Sequence, residues 1–266
     1  MENNKIPIGV IDSGFGGLSV LRHLLVDLPD ENFVYFADND FCPYGRRRFE
    51  EIQDRICFIV DYLIREYNVK LIVVACNTAT AAAIDLLREK FNIPFIGMEP
   101  AIKPAALNTK TGIIGVLATE GTFNGRLFKQ TKQKYASDIQ VIIKAGNGLV
   151  ELVEKGITTG NEVEELLYQY ITPMVKTGAD LLVLGCTHYP FLSETIIKLF
   201  PTLQIIDPAP AVSKQTVSVL TTMHIKNKKK KNRSIVLLTS ALCEDLQSFS
   251  EKVLGQQNYT IQKVFL

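Results

Sequence analysis

The stretch KLIVVACNTAT, residues 70–80, decides the fold of this chain, because DLLVLGCTHYP at residues 180–190 repeats its pattern. Each stretch is an apolar run followed by a small residue, a cysteine (Cys76 or Cys186) and two polar residues. Short apolar runs rich in Val, Ile and Leu are typical of buried parallel strands. Open α/β sheets place their chemistry at the carboxyl ends of such strands. The repeat therefore predicts one thiol at a strand end in each half of the protein.

A second pair of stretches extends the repeat towards the start of each half. IGVIDSG occupies residues 8–14 and IGVLAT occupies residues 114–119. Both have the pattern of a strand followed by a turn, and they precede Cys76 and Cys186 by similar distances. Any α/β protein repeats apolar strand patterns, but two matched pairs at nearly equal spacing favour two similar α/β halves.

Strand and helix patterns alternate along the whole chain, which predicts a doubly wound parallel sheet formed twice. The segment after Pro210 is too short to be a domain, and we expect it to return to the first half. The predicted domains are therefore residues 1–98 plus 210–266 and residues 99–209.

Three segments carry specific secondary-structure predictions. We expect one helix over residues 121–135, another over 191–199, and a short tail after a helix near 243–253. The Asp residue that ends the first strand, Asp12, is a candidate cap for the helix that follows it, a contact worth about 1 kcal/mol.

Composition limits the classes of function. The chain has 266 residues, of which 47% are hydrophobic and 21% charged, an ordinary globular composition. A net charge of +1 gives no general attraction for nucleic acid or anionic membranes. No apolar run has the length of a membrane span and the N-terminus lacks a signal-peptide pattern, so we expect a cytoplasmic protein. The basic run at 226–233 is interpreted as a solvated loop, since no aromatic residues interleave with it.

The matched cysteines suggest proton transfer. A free thiol has a pKa of about 8.5, and a helix N-terminus lowers it. A thiolate at one strand end can remove a proton while a thiol opposite delivers one, as inversion of a stereocentre requires. The alternatives are that Cys76 and Cys186 are small buried hydrophobes, or that Cys186 and His188 bind a metal. Structural zinc prefers C-x-x-C spacing, which is absent, so no metal is expected.

Polar residues around the two strand ends are the other candidates. Asp12 and Ser13 end the first strand, where a carboxylate can pair with a substrate ammonium group. Four residues follow the cysteines directly and can either bind carboxylates or serve as ordinary turn residues: Asn77, Thr78, Thr187 and His188. His188 can also tune the proton state of Cys186. The GFGG stretch lacks G-x-G-x-x-G spacing, so no dinucleotide cofactor is inferred.

Taken together and in this order, the motifs DSGFGG, PYG, ACNTAT, GLVELVE and GCTHYP resemble the glutamate racemase family of cofactor-independent aspartate/glutamate racemases. The resemblance covers about 200 residues. It implies two α/β domains related by pseudo-twofold symmetry, with the active site between them. It also implies interconversion of L- and D-glutamate without a cofactor, supply of D-glutamate to peptidoglycan synthesis, and a homodimer.

The resemblance assigns roles to individual residues. Cys76 corresponds to the base for D-glutamate and Cys186 to the base for L-glutamate, with Asp12, Glu154 and His188 as further catalytic groups. The residues that correspond to substrate contacts are Asp12, Ser13, Tyr44, Gly45, Asn77, Thr78, Thr187 and His188. The chain departs from many relatives at Gly146-Asn147, where they have Cys-Pro, so the neighbouring Glu151 stays an alternative to Glu154.

Three other functions remain open from the sequence alone. A sister racemase of the same fold would act on aspartate. A two-lobed binding protein would close on an amino acid without turning it over. A thiol redox protein is disfavoured, because neither cysteine has a C-x-x-C partner.

Overall fold

In a computed structural model, which describes residues 6–228 and 233–265, parallel strands form two sheets with helices between them. The strands are β1 (Ile8–Asp12), β2 (Phe33–Ala37), β3 (Leu71–Val74), β4 (Phe95–Gly97), β5 (Ile113–Ala118), β6 (Gln140–Ala145), β7 (Leu181–Gly185), β8 (Gln204–Ile206), β9 (Ile235–Thr239) and β10 (Thr260–Lys263). The α-helices are α1 (Leu18–Asp27), α2 (Phe49–Tyr67), α3 (Asn77–Lys90), α4 (Ile102–Asn108), α5 (Glu120–Asn124), α6 (Arg126–Tyr135), α7 (Leu149–Glu154), α8 (Asn161–Thr177), α9 (Ser193–Leu199), α10 (Ala209–Thr222) and α11 (Cys243–Leu254).

The two sheets share one strand order. The first sheet runs β10-β9-β2-β1-β3-β4 and the second runs β6-β5-β7-β8. Without β9 and β10, the first order is β2-β1-β3-β4, which the second sheet repeats strand for strand. The predicted pair of similar α/β domains is confirmed, and Cys76 after β3 corresponds to Cys186 after β7.

Helices cover both faces of the first sheet, as a doubly wound fold requires. Successive residues of a strand point to opposite faces. Val10 packs in a cluster with residues of α1, whereas Ile11 packs in another with residues of α2 and α3. The cluster around Val10 continues into the second sheet and includes Leu152 and Leu184. Apolar packing therefore joins the two domains.

The chain after Pro210 returns to the first sheet, as predicted, because β9 pairs in parallel with β2. The short tail predicted after the last helix contains a strand that the sequence did not reveal, β10, which pairs with β9 at the edge of that sheet. The sequence of β10, TIQK, is mostly exposed and lacks the apolar run by which the other strands were recognised. The domain limits at 98/99 and 209/210 remain our proposal.

Two helix predictions need correction. The helix predicted over 121–135 is interrupted at Gly125, whose backbone is extended, and so forms α5 and α6. A Cβ atom at Gly125 would lie 2.7 Å from Cβ of Ala81, so this break allows the close approach of α3. The residues before α9 form a 3₁₀ turn, Tyr189–Leu192, in place of a longer α-helix.

Two further sequence predictions concern membrane-spanning segments and the basic run at 226–233. Among residues 6–228 and 233–265, no helix is long and apolar enough to cross a membrane. Residues 229–232, the centre of the basic run, lie outside the described residues, so the interpretation of that run as a solvated loop stays a prediction.

Candidate active site

Cys76 lies at the N-terminus of α3, where its Sγ accepts a hydrogen bond from the Ala79 N–H at 3.4 Å. The same sulfur lies 3.7 Å from Oγ of Ser13. Burial, reinforced by the charge of Asp12, raises the pKa of the Cys76 thiol from 9.0 to about 12, although both hydrogen bonds oppose the rise. The expected lowering by the helix N-terminus is thus outweighed by desolvation. At neutral pH this thiol is protonated.

Cys186 has a different neighbour, an imidazole. Its Sγ lies 3.6 Å from Nδ1 of His188, and Nε2 of His188 lies 2.5 Å from Oε1 of Glu154. Burial disfavours the imidazolium, but the hydrogen bonds to Cys186 and Glu154 outweigh it and raise the pKa of His188 well above its ordinary value. The second sulfur therefore sits beside a group that holds a proton.

Of the two candidate acids on α7, the structure brings Glu154 to His188. Glu154 also accepts the Phe15 N–H at 2.6 Å, and its side chain is 17% exposed. Glu151 lies one turn earlier and pairs instead with Arg46 at 3.4 Å, with both side chains in contact with solvent. Because only Glu154 contacts the imidazole, the geometry favours it as the assisting acid.

Asp12 is fully buried and contacts Thr187. Its carboxylate accepts hydrogen bonds from the Gly14 N–H at 3.0 Å and from Oγ1 of Thr187 at 2.9 Å. Burial raises the pKa of Asp12, although the charge of His188 and these hydrogen bonds oppose the rise. The expected cap on the following helix is wrong, because α1 begins at Leu18 and Asp12 bonds within the preceding turn.

Both sulfurs line one narrow cavity between the domains. The centre of a water molecule can occupy only about 10 Å³ of it. The lining residues are Ser13, Pro43, Tyr44, Gly45, Cys76, Asn77, Thr78, Thr119, Val150, Cys186, Thr187 and His188. Every predicted site residue except Asp12 and Glu154 is among them. The sequence interpretation missed Pro43, Thr119 and Val150.

A threonine seam, formed by Thr78, Thr119 and Thr122, joins the domains beside this cavity. Oγ1 of Thr119 lies 2.7 Å from Oγ1 of Thr78 and 2.8 Å from Oγ1 of Thr122. Gly45 allows this approach, since a Cβ atom there would lie 2.9 Å from Cβ of Thr119. The repeat contained a signal for Thr119, because it ends the IGVLAT stretch.

Tyr44 and Asn77 lie on the wall formed by the first domain. The Tyr44 hydroxyl donates to Oδ2 of Asp38 at 2.7 Å, and Arg55 pairs with the same buried carboxylate at 2.6 Å. Asn77 donates to the Met98 carbonyl at 3.3 Å, whereas its Oδ1 has no hydrogen-bond partner among the described residues. A buried acceptor on the cavity wall is a ready partner for a substrate N–H group.

One group of side chains has atoms of metal-ligand type close together. The sulfur of Cys42, an oxygen of Glu154 and a nitrogen of His188 lie within 4.8 Å of one another. Glu154 and His188 already bond each other, and burial raises the pKa of Cys42 and so keeps its thiol protonated. A metal ligand must be deprotonated, so this group is poorly suited to a cation. The absence of a metal or cofactor stays a prediction.

Comparisons with known proteins agree with this architecture. The Asp/Glu/Hydantoin racemase family matches residues 8–216. A glutamate racemase of Herpetosiphon aurantiacus is 47% identical over 88% of this chain and 92% of its own. Crystal structures of glutamate racemases from Bacillus anthracis (TM-score 0.87, 33% identity) and from Francisella tularensis in complex with D-glutamate (TM-score 0.86, 31% identity) each cover 98% of both chains. The chain belongs to the Asp/Glu/Hydantoin racemase family of isomerases and, within it, to the glutamate racemases.

Proposed function

We propose that this protein interconverts L- and D-glutamate by proton transfer between two cysteines at the α-carbon, without a cofactor. The observation that carries the proposal is the placement of Cys76 and Cys186, from corresponding strand ends of two domains, on one cavity. Inversion needs an acid and a base on opposite faces of the substrate. The complex of the Francisella tularensis relative with D-glutamate supports glutamate as the ligand.

In the direction from L- to D-glutamate, the Cys186 thiolate removes the α-proton and the Cys76 thiol delivers another to the opposite face. One Cα–H bond breaks as an S–H bond forms at Cys186. On the opposite face, the S–H bond of Cys76 breaks as a new Cα–H bond forms. The raised pKa of Cys76 suits its role as the acid in this direction. An imidazolium at His188 stabilises the thiolate of Cys186 by charge. For D-glutamate the two sulfurs exchange roles.

The α-proton of an amino acid is weakly acidic, so the site must stabilise a carbanion-like transition state. A narrow cavity excludes water and strengthens the hydrogen bonds inside it. We assign the substrate ammonium to Oδ1 of Asn77 and its carboxylates to the hydroxyl and N–H groups of Ser13, Thr78 and Thr187. Asp12 acts on the substrate through Thr187. Because the cavity is narrow, the two domains must separate to admit glutamate and close again for proton transfer.

The wider role is part of the proposal. D-glutamate made here supplies peptidoglycan synthesis, and through it cell-wall biogenesis and cell shape. The reaction takes place in the cytoplasm, and the enzyme is a homodimer. The resemblance to the glutamate racemases supports these assignments.

The test follows L-glutamate with purified protein and no added cofactor by circular dichroism, and product from D₂O by ¹H NMR. The optical signal should decay to zero, and the product should carry deuterium at the α-carbon. Cys76→Ala should abolish turnover in both directions while far-UV dichroism stays unchanged. Cys57→Ala is the matched control, because Cys57 is also buried but does not line the cavity.

Three outcomes would overturn the proposal. Retained two-way turnover in Cys76→Ala would exclude the two-cysteine mechanism. Faster turnover of aspartate, assayed in parallel, would move the substrate assignment to the sister racemase. Tight binding of glutamate with no loss of optical activity would indicate a binding protein.

A further inference from the structure

A line of hydrogen bonds runs behind Cys186 into the first domain. Oγ1 of Thr239 accepts the Ala241 N–H at 3.0 Å and lies 3.0 Å from Oδ1 of Asn39. Nδ2 of Asn39 lies 2.8 Å from Oε2 of Glu154. Glu154 in turn contacts His188, whose other nitrogen faces the sulfur of Cys186. The line therefore connects the end of β9 to the second catalytic thiol.

The chemistry of the partners fixes the direction of each bond. The Thr239 oxygen already accepts a backbone N–H, so its hydroxyl proton donates to Oδ1 of Asn39. The Asn39 amide nitrogen then faces Glu154 and donates to it. Glu154 receives N–H groups from Phe15, Asn39 and His188, the pattern of an ionised carboxylate. His188 consequently carries a proton on Nε2, and its other nitrogen, Nδ1, faces the sulfur of Cys186.

Two of the three donors to Glu154, Phe15 and Asn39, come from the other domain. Phe15 follows β1 and Asn39 follows β2, both in the first sheet, whereas Glu154 ends α7 beside the second sheet. Ala37 of β2 pairs with Thr239 of β9, which places the Thr239 hydroxyl next to Asn39. These two hydrogen bonds therefore cross the boundary between the domains.

We propose that Asn39, held by Thr239, is a positioning residue that orients Glu154 and so readies Cys186 as a base only when the domains are closed. The inference rests on the proposed function. Asn39 touches neither sulfur and does not line the cavity. Asn39 orients the carboxylate of Glu154, which in turn orients the imidazole of His188. The reactivity of Cys186 therefore depends on Asn39, whereas that of Cys76 does not.

Two substitutions of Asn39 test the inference by their order of effect. Asn39→Ala removes the donor and should lower kcat by about 10-fold to 100-fold, a part of what a positioned acid–base group contributes. Asn39→Asp should lower it further, because a carboxylate would face Glu154 at nearly the same size. Thr239→Val should have a smaller effect in the same direction. KM should change by less than about threefold, since the substrate contacts remain.

The matched control is Asp40→Ala in the same 3₁₀ turn, whose exposed side chain makes no hydrogen bond to Glu154. Its kcat should equal that of the wild type. Thermal unfolding of every variant separates a loss of fold from a loss of positioning.

A second readout distinguishes positioning from general damage. In D₂O, a variant impaired at Cys186 can still remove the α-proton of D-glutamate through Cys76 and return deuterium to the same face. With D-glutamate, Asn39→Ala should therefore incorporate deuterium at the α-carbon faster than it forms L-glutamate. With L-glutamate, deuterium incorporation should not exceed the rate of inversion. Equal effects on both enantiomers would overturn the inference.

The proposed function and this inference fail separately. If Cys186→Ala is inactive but the Asn39 variants match the wild type, the positioning role is wrong and the two-cysteine mechanism stands. If Cys186→Ala keeps two-way turnover, the mechanism itself is wrong.

Discussion

The two sulfur atoms occupy equivalent places in two sheets of the same strand order, yet their surroundings differ. Cys76 faces a hydroxyl, a backbone N–H and the charge of Asp12, and its thiol stays protonated. Cys186 faces the imidazole of His188, which Glu154 supports. A duplicated fold thus supplies symmetric positions, while individual side chains give each thiol a different chemical environment.

The largest effect should come from removing the imidazole. His188→Asn should lower kcat/KM by about 10²-fold to 10³-fold, because a positioned acid–base group contributes on that scale. Ser13→Ala, which removes the hydroxyl beside Cys76, should lower it by about tenfold or less, because one hydrogen bond is worth roughly 1 kcal/mol. Initial rates of both variants measure the difference. Equal losses of kcat/KM would show that the neighbours of the two sulfurs contribute equally to catalysis.

Added bulk at two glycines near the active site should have unequal effects. A Cβ atom at Gly16 would lie 2.5 Å from Nδ1 of His188 and from Oγ1 of Thr187, whereas one at Gly45 would lie 2.9 Å from Cβ of Thr119. Overpacking costs about 1–3 kcal/mol, or roughly 5-fold to 150-fold in rate if it falls on the transition state. Gly16→Ala should therefore lose about 10-fold to 100-fold in kcat and Gly45→Ala less. The reverse order in steady-state assays would show that the contact beside Thr119 is the more sensitive one.

The smallest effect concerns the stability of the fold at high pH. The pKa of Cys76 is about 12 in the folded state and 9.0 is the ordinary value. Between these values the folded state holds a proton that the unfolded state has lost, so stability falls as pH rises above 9. Cys76→Ser has no thiol to titrate at this position. Its free energy of unfolding, relative to that of the wild type, should therefore rise by about 1 kcal/mol between pH 8 and pH 10. Urea unfolding at both pH values checks it, and parallel curves would contradict the raised pKa.

The sequence predicted the strand ends well, because buried parallel strands are continuous apolar runs and their order fixes which ends meet. The matched apolar runs that precede Cys76 and Cys186 therefore sufficed to place each thiol at a strand end of its own sheet, and the family resemblance placed the two thiols in one site. The thiol pKa of Cys76 was predicted in the wrong direction, since the desolvation of that sulfur depends on packing between segments that are distant in the sequence. Strand β10 was missed because its residues are mostly exposed.

Contacts between distant segments lay beyond sequence reasoning. Asn39 and Thr239 are 200 residues apart, and neither lies in a recognisable motif. Val150 lies in the GLVELVE motif, but its apolar side chain gave no sign that it lines the cavity. A single sequence shows which residue types can do chemistry, but it does not show which side chains hold them in place.

The pairing of β9 with β2 has a consequence for biosynthesis. A ribosome releases the whole second sheet before it releases β9, so β2 has an unpaired edge while more than half of the chain emerges. All five residues of β2, FVYFA, are buried in the finished protein, and an apolar edge of this kind readily pairs with other chains. We expect the nascent polypeptide to be most prone to aggregation in the interval before residue 235 leaves the exit tunnel, and to depend on chaperones during that interval.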